Sequence, residues 1–263
     1  MNYERLRTFF ICMKYPQSIP KVSHLLTLGW SDGKIFLPVN SCLSIDHNEP
    51  AEMQIDIEQI LITEAYYILE EIKKEPVTVG LIVLNMVIFF LTEITGGSQD
   101  TAHMLRCGAS YVPAIVEDGE IYRIFTCMFL HFGMSHLLNN MLILFVMGQR
   151  LEPVLGKIRM LAVYLLGGVG GNLVSLYFSL QKQDYAVSAG ASGAVFAVLG
   201  AMIYVLLRHR GRLQDLTVRG MLFMAALSLY YGFTSAGVDN AAHVGGLICG
   251  LILALLLYHP EKS

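Results

Sequence analysis

Six apolar stretches, running about from Val77 to Thr95, Ser135 to Leu151, Met160 to Leu180, Ala189 to Leu207, Val218 to Ala236 and Asn240 to Tyr258, set the limits on what this chain can become. A helix that crosses hydrocarbon needs roughly 20 mostly apolar residues, because the bilayer offers no partner for backbone N–H and C=O groups and a helix pairs them internally. The rest of the composition agrees: 54% of the 263 residues are hydrophobic and 15% are charged. The fold class expected is an all-α polytopic membrane protein, a bundle of six transmembrane helices over residues 76–263 preceded by a small N-terminal cytoplasmic domain over residues 1–75.

Charge narrows the partners. With 18 Lys and Arg against 21 Asp and Glu, the net charge is −3, so the chain has no basic excess to neutralise a phosphate backbone, and nucleic acid is excluded as a partner. The five cysteines (Cys12, Cys42, Cys107, Cys127 and Cys249) are scattered without a CxxC pair, which argues for free thiols and against a structural zinc site. No metal and no cofactor is expected. The N-terminal apolar patch, Thr8 to Met13, is too short for a secretory signal, so the N-terminus is expected to stay in the cytoplasm.

Orientation follows from Lys and Arg, which accumulate in cytoplasmic loops. Arg150, Lys157 and Arg159 follow the second stretch, and Arg208, Arg210, Arg212 and Arg219 follow the fourth; the opposite side has only Arg106, Arg123 and Lys182. Both termini are therefore expected in the cytoplasm, and the second, fourth and sixth spans should each begin at the outer face. Residues 1–75 are punctuated by Pro16, Pro20, Pro38 and Pro50, with a hairpin expected around Trp30-Ser31-Asp32-Gly33. Ile57, Ile60, Leu61, Ala65, Ile68 and Ile72 recur at helical spacing, predicting an amphipathic helix that leads into the first span.

Polar groups inside spans are costly, so each one is a site hypothesis. His136 and Asn140 lie at the start of the second span, four residues apart and hence on one helix face. Ser192 lies near the start of the fourth, in Gly190-Ala191-Ser192-Gly193, where small neighbours allow close approach and a helix N-terminus offers free N–H donors. His243 lies near the start of the sixth and shares its face with Gly246 and Gly250, so that side can pack nearly backbone to backbone against a neighbour. Each has a plainer reading: a membrane serine can bond its own i−4 carbonyl, and a membrane histidine or asparagine can join two helices. Taken together at one depth, a hydroxyl, a base and a pair of side-chain donors are the parts needed for acyl transfer. Asp239, four residues before His243, is assigned a solvated or capping role, since it would need an unusual rotamer to reach the imidazole.

These residues stand in motifs. Tyr122-Arg123, Phe129-Leu130-His131, His136-Leu137-Leu138-Asn139-Asn140-Met141, then Gly148, Leu151, Glu152 and Gly156, then Gly190-Ala191-Ser192-Gly193, and finally Ala242-His243-Val244-Gly245-Gly246 with Gly250, occur in an order and spacing that resembles the rhomboid family of intramembrane serine proteases over about residues 76–258. The resemblance implies that Ser192 is the nucleophile and His243 its base, a dyad without a carboxylate, and that His136, Asn140 and the Ser192 N–H form the oxyanion hole. Gly190, Gly193 and Arg123 are then supporting residues, as is Phe196, which stands where many members have Tyr and can still stack on His243. Tyr122 stands where the family commonly has Trp.

The function so implied is a serine endopeptidase that cuts single-pass transmembrane substrates near their outer ends, in a prokaryotic plasma membrane, with the site opening to the outer face. Ser135, Asn139, His131 and Ser188 are available to line a water-filled cavity. The partners implied are transmembrane protein substrates and the lipid bilayer; the oligomeric state cannot be read. The alternative is a catalytically silent relative that captures membrane clients, against which the retention of both Ser192 and His243 speaks. No HExxH motif and no pair of span aspartates supports another protease class.

Overall fold

Because apolar segments of this length satisfy their backbone only as helices, the elements are long rods joined by short turns. The computed structural model describes the backbone of residues 29–31 and 34–36, and residues 74–259 apart from 184, 214 and 236. The chain divides into two compact units, Met1–Ile68 and Leu69–Ser263. In the first, β1 (Gly29–Ser31) pairs antiparallel with β2 (Lys34–Phe36), Trp30 opposite Ile35, which is the hairpin expected there. The amphipathic helix expected over Ile57 to Ile72 lies outside the described residues, as does the rest of the expected N-terminal domain.

The second unit begins with α1 (Pro76–Gly96). A long connection follows, carrying α2 (Thr101–Arg106), α3 (Val112–Val116) and α4 (Arg123–Thr126), the last running into a 3-10 turn over Cys127–Phe129. Then come α5 (Met134–Leu155), α6 (Lys157–Lys182) and α7 (Ser192–Arg208), a two-residue hairpin of β3 (Arg212–Leu213) with β4 (Leu216–Thr217), α8 (Val218–Thr234) and α9 (Asn240–Leu257). Every expected span coincides with one of the long helices. Among the described residues, α1, α6 and α9 are by themselves long and apolar enough to cross a membrane. A fourth joins them if α5 is counted with the segment Arg123–Phe129, which meets it at 90°. At 17 residues, α7 and α8 extend only about 26 Å, short of the roughly 30 Å of hydrocarbon.

The shortness of α7 goes with its place. All residues from Gly193 to Ile203 are buried, so this helix is enclosed on every side. Lipid-facing apolar surface lies instead on the outer helices, as at Val87, Phe90 and Leu91 of α1 and Leu222, Phe223 and Tyr230 of α8. Against α7 the neighbours come to backbone contact. A methyl group built on Gly250 of α9 would fall on the Ala197 carbonyl oxygen, and one on Gly200 of α7 would fall on that of Leu247. From α6, a methyl on Gly167 would strike the Ala197 methyl of α7, and one on Gly171 would lie 2.7 Å from the Ala242 carbonyl oxygen of α9. Contacts this close replace the hydrophobic drive that lipid cannot provide between helices.

The two ends of the bundle can be told apart. At one end Gly156 takes φ +90° and lets α5 turn directly into α6 with a single residue between them. Glu152, 1% exposed, there accepts the N–H groups of Val77 (3.0 Å) and Thr78 (2.7 Å) and the Thr78 hydroxyl (2.7 Å), capping the start of α1. Arg150 makes a two-pronged ion pair with Asp215 between β3 and β4, Nε to Oδ1 at 2.9 Å and the second nitrogen, Nη2, to Oδ2 at 3.0 Å. The start of α1, the α5–α6 turn and the α7–α8 loop, all cation-bearing or cation-adjacent, thus share one end. The starts of α5, α7 and α9 share the other.

Glu152→Ala leaves two backbone N–H groups and a hydroxyl unpaired in a dry setting and is expected to cost about 3 kcal/mol, read as a lower thermal unfolding midpoint in detergent. Glu152→Gln keeps one acceptor oxygen and should lose less. An unfolding midpoint for Glu152→Ala equal to that of the unsubstituted protein would contradict the capping of α1.

Candidate active site

The sequence placed the start of the fourth span at Ala189; α7 instead begins at Ser192. Residues 188–190 precede it without a break in the sequence pattern but are held extended by the long connection. Ser188 and Ser110 exchange backbone hydrogen bonds at 2.8 and 2.9 Å, and the Gly190 N–H donates to the Cys127 carbonyl at 3.0 Å. Ser192 is consequently the first residue of α7, and no side chain caps that helix. The leading N–H groups of a helix have no i−4 carbonyl to meet, so donors gather beside the Ser192 hydroxyl.

His136, in the first turn of α5, lies against this start. A methyl group on Gly190 would sit 2.7 Å from His136 Cε1, 3.0 Å from its Nε2 and 3.6 Å from Ser192 Oγ, so the ring edge and the hydroxyl flank the same point. Glycine is required there for the imidazole to come in. His131 supports the arrangement from behind: its ring meets that of His136 edge-on at 5.3 Å, and its Nε2 accepts the Ala191 N–H at 3.4 Å. Asn140 is buried one turn along α5 from His136 and spends one amide hydrogen on the His136 carbonyl at 3.0 Å, keeping the second for another acceptor.

His243 comes from α9. Its ring stacks on Phe196 with centroids 4.4 Å apart and planes 11° from parallel. Phe196 is one turn after Ser192 on the same face of α7, so the imidazole lies over the face that carries the hydroxyl. The close approach is set by glycine: a methyl on Gly246 would fall on the Gly193 carbonyl oxygen. His243 is buried and its Nδ1 has no hydrogen-bond partner among the described residues. No hydrogen bond among the described residues joins Ser192 Oγ to the ring; what links them is Phe196, one turn after Ser192, on which the ring stacks.

Arg123 lies elsewhere. Buried in the long connection, it donates to the carbonyls of Leu105 (2.7 Å) and Ala109 (2.9 Å) and pairs with Glu120 (2.5 Å), and so stiffens the loop that holds residues 188–190 extended. Of the expected cavity-lining residues, Ser135 and Asn139 are exposed, Ser188 is half-buried and His131 is buried. Two participants were not legible. Asn172 of α6 donates to the Ile124 carbonyl (2.8 Å) and touches Cys127 Sγ (3.1 Å), and Asp239 binds the hydroxyls of Ser175 and Ser188 besides capping α9 through the Ala242 N–H. An amide in a largely apolar helix is the signal for the first, and from sequence alone the second has only a solvated or capping role.

Comparison with known proteins gives one family and several relatives. Residues 118–260 match the family model described as the Rhomboid domain. The chain is 36% identical over 190 residues to the rhomboid protease GluP of Bacillus subtilis, an alignment covering 72% of this chain and 36% of that protein. It is 39% identical over 150 residues to RHOMBOID-like protein 5 of Arabidopsis thaliana, covering 56% and 48%. To the rhomboid protease AarA of Providencia stuartii it is 30% identical over 201 residues, covering 68% and 71%. The chain thus spans less than half the length of the first two of these relatives.

Phe196→Ala removes the surface on which His243 rests and is expected to lower stability by about 3 kcal/mol, whereas Phe196→Tyr, which keeps the ring, should change it by less than about 1.5 kcal/mol. Thermal unfolding in detergent measures both. Equal losses in the two variants would contradict the role of the stacked ring.

Proposed function

The chain belongs to the rhomboid family, and on that premise we propose that it is an intramembrane serine endopeptidase acting through Ser192 and His243. The observation that carries this reading is the uncapped start of α7: a hydroxyl on its first residue, free backbone donors around it, and an imidazole from another helix lying over the same face. A merely structural serine would have no use for an unfilled helix N-terminus next to a histidine whose Nδ1 has no hydrogen-bond partner among the described residues.

In the proposed reaction, His243 takes the Ser192 Oγ proton as the oxygen bonds to the scissile carbonyl carbon. The negative charge that moves onto the carbonyl oxygen is met by the Ser192 N–H, the imidazole of His136 and the remaining amide hydrogen of Asn140. Collapse of the tetrahedral species breaks the C–N bond, and His243 returns the proton to the leaving amine. Water, deprotonated by the same imidazole, then releases the acyl group from Ser192. His136 supports this role because Gly190 lets its ring edge stand beside the hydroxyl.

The six long helices are read as six spans, with the end that carries Arg150, Lys157, Arg159 and the arginines of the α7–α8 loop in the cytoplasm. The chain then enters α1 from the cytoplasmic side and the site opens at the opposite face, in a prokaryotic plasma membrane. Substrates are single-pass membrane proteins cut near their outer ends. A helix hides its carbonyls, so the cleaved segment must unwind locally, which favours small or helix-breaking residues there.

Reconstituted in vesicles with a reporter transmembrane helix, the protein is expected to cleave near the outer end of the reporter, with cleavage abolished in Ser192→Ala and in His243→Ala. His136→Ala and Asn140→Ala should each slow it by on the order of 10²-fold to 10³-fold. Reporter binding without cleavage in the unsubstituted protein would overturn the reading in favour of client capture. An Asn140→Ala rate equal to the unsubstituted one would remove Asn140 from the oxyanion hole.

A further inference from the structure

We propose that Asp239 is a positioning residue that ties the segment before the nucleophile to the helix that carries the base, an inference that rests on the protease reading above. An N-cap needs one oxygen, and Asp239 Oδ1 supplies it by accepting the Ala242 N–H at 2.9 Å. The second oxygen is committed elsewhere. Oδ2 accepts the Ser175 hydroxyl of α6 at 2.5 Å and the Ser188 hydroxyl at 3.1 Å, so one carboxylate joins α9, α6 and the extended strand leading to α7.

The geometry gives these bonds a consequence for the site. Ser188 is four residues before Ser192, in the stretch that Ser110 holds extended, and Asp239 is one helical turn before His243, whose own N–H bonds to the Asp239 carbonyl at 3.2 Å. Movement of the Asp239 side chain therefore moves with the base, and movement of Ser188 moves with the nucleophile. The contacts of Gly246 with Gly193, Gly250 with Ala197 and Gly200 with Leu247 fix how closely α7 and α9 approach, but all lie on the C-terminal side of Ser192. The carboxylate bridge adds a fixed point on its N-terminal side, and bonds from hydroxyls to a charged acceptor are the stronger kind. Asp239 does not bond to the His243 ring in the structure, so it acts on the reaction through placement.

The test separates the cap from the bridge. Asp239→Ser retains a capping oxygen but is too short to span to Ser188, and Ser188→Ala leaves the cap untouched while deleting that arm. With the full-length protein in vesicles and a reporter helix, both variants are expected to lose about 10-fold to 100-fold in kcat, with KM unchanged and thermal unfolding within a few degrees of the unsubstituted protein. The double variant should be no slower than Asp239→Ser alone, and Asp239→Asn, which keeps the length and the cap, should recover part of the rate. Losses of kcat that merely track the folded fraction, losses that multiply in the double variant, or Ser188→Ala at full rate would each overturn the bridge. An unsubstituted protein no more active than Ser192→Ala would instead overturn the protease reading, and the bridge with it.

Discussion

Everything in the bundle depends on the backbone contact that glycine allows between α7 and its two neighbours. In water, burying side chains would draw these helices together; in hydrocarbon, the lipid tails are as apolar as leucine, and attraction between helices must come from close contact over many atoms. Gly200, Gly246 and Gly250 supply that contact between α7 and α9, and Gly167 and Gly168 supply it between α7 and α6. Because each glycine faces a carbonyl oxygen or a methyl carbon, the helices can meet at only a narrow range of offsets. One consequence is local to the site: the residue after Ser192 abuts the residue three after His243, so the approach that holds the bundle together also brings the proposed nucleophile and base to one level.

Polar groups then fix what packing leaves free. Several sit near the ends of the long helices, Glu152 and Asp239 among them at helix starts, while Asn85 in the middle of α1 donates to the Tyr164 hydroxyl of α6 at 3.1 Å. At one end Glu152 closes the beginning of α1 with three hydrogen bonds from buried donors. At the other, Arg123 stiffens the long connection, the connection holds residues 188–190 extended, and Asp239 closes the beginning of α9. The start of α7 has no side-chain cap, a feature it shares with α5 and α6. What distinguishes the open start of α7 is its content, a hydroxyl on the first residue with the His136 ring edge beside it, which is where the proposed reaction places the substrate's carbonyl oxygen.

The long helices were legible because hydropathy over about 20 residues reports directly on what a bilayer demands. The polar residues of the site were legible for the same reason, standing out against an apolar background. What escaped was whatever depends on contact between distant segments. The start of α7 fell three residues late because an apolar stretch held extended by Ser110 and Cys127 reads the same as a helical one. The helices α2, α3 and α4, four to six residues each, are too short to show a period. For Asp239 the sequence offers a solvated or capping role, and capping is a local property, but its bonds to Ser175 and Ser188 span 64 and 51 residues and leave no trace in the sequence around it.

Covalent modification tests the central claim most directly, because it reports on Ser192 without requiring that a substrate be known. The protein in its membrane is exposed to a fluorophosphonate, digested, and the modified peptide identified by mass. The account predicts a single adduct, on the Ser192 hydroxyl, that forms at a greatly reduced rate in His243→Ala although that variant remains folded. An adduct on another residue, or one on Ser192 whose rate is indifferent to the loss of the His243 ring, would contradict it.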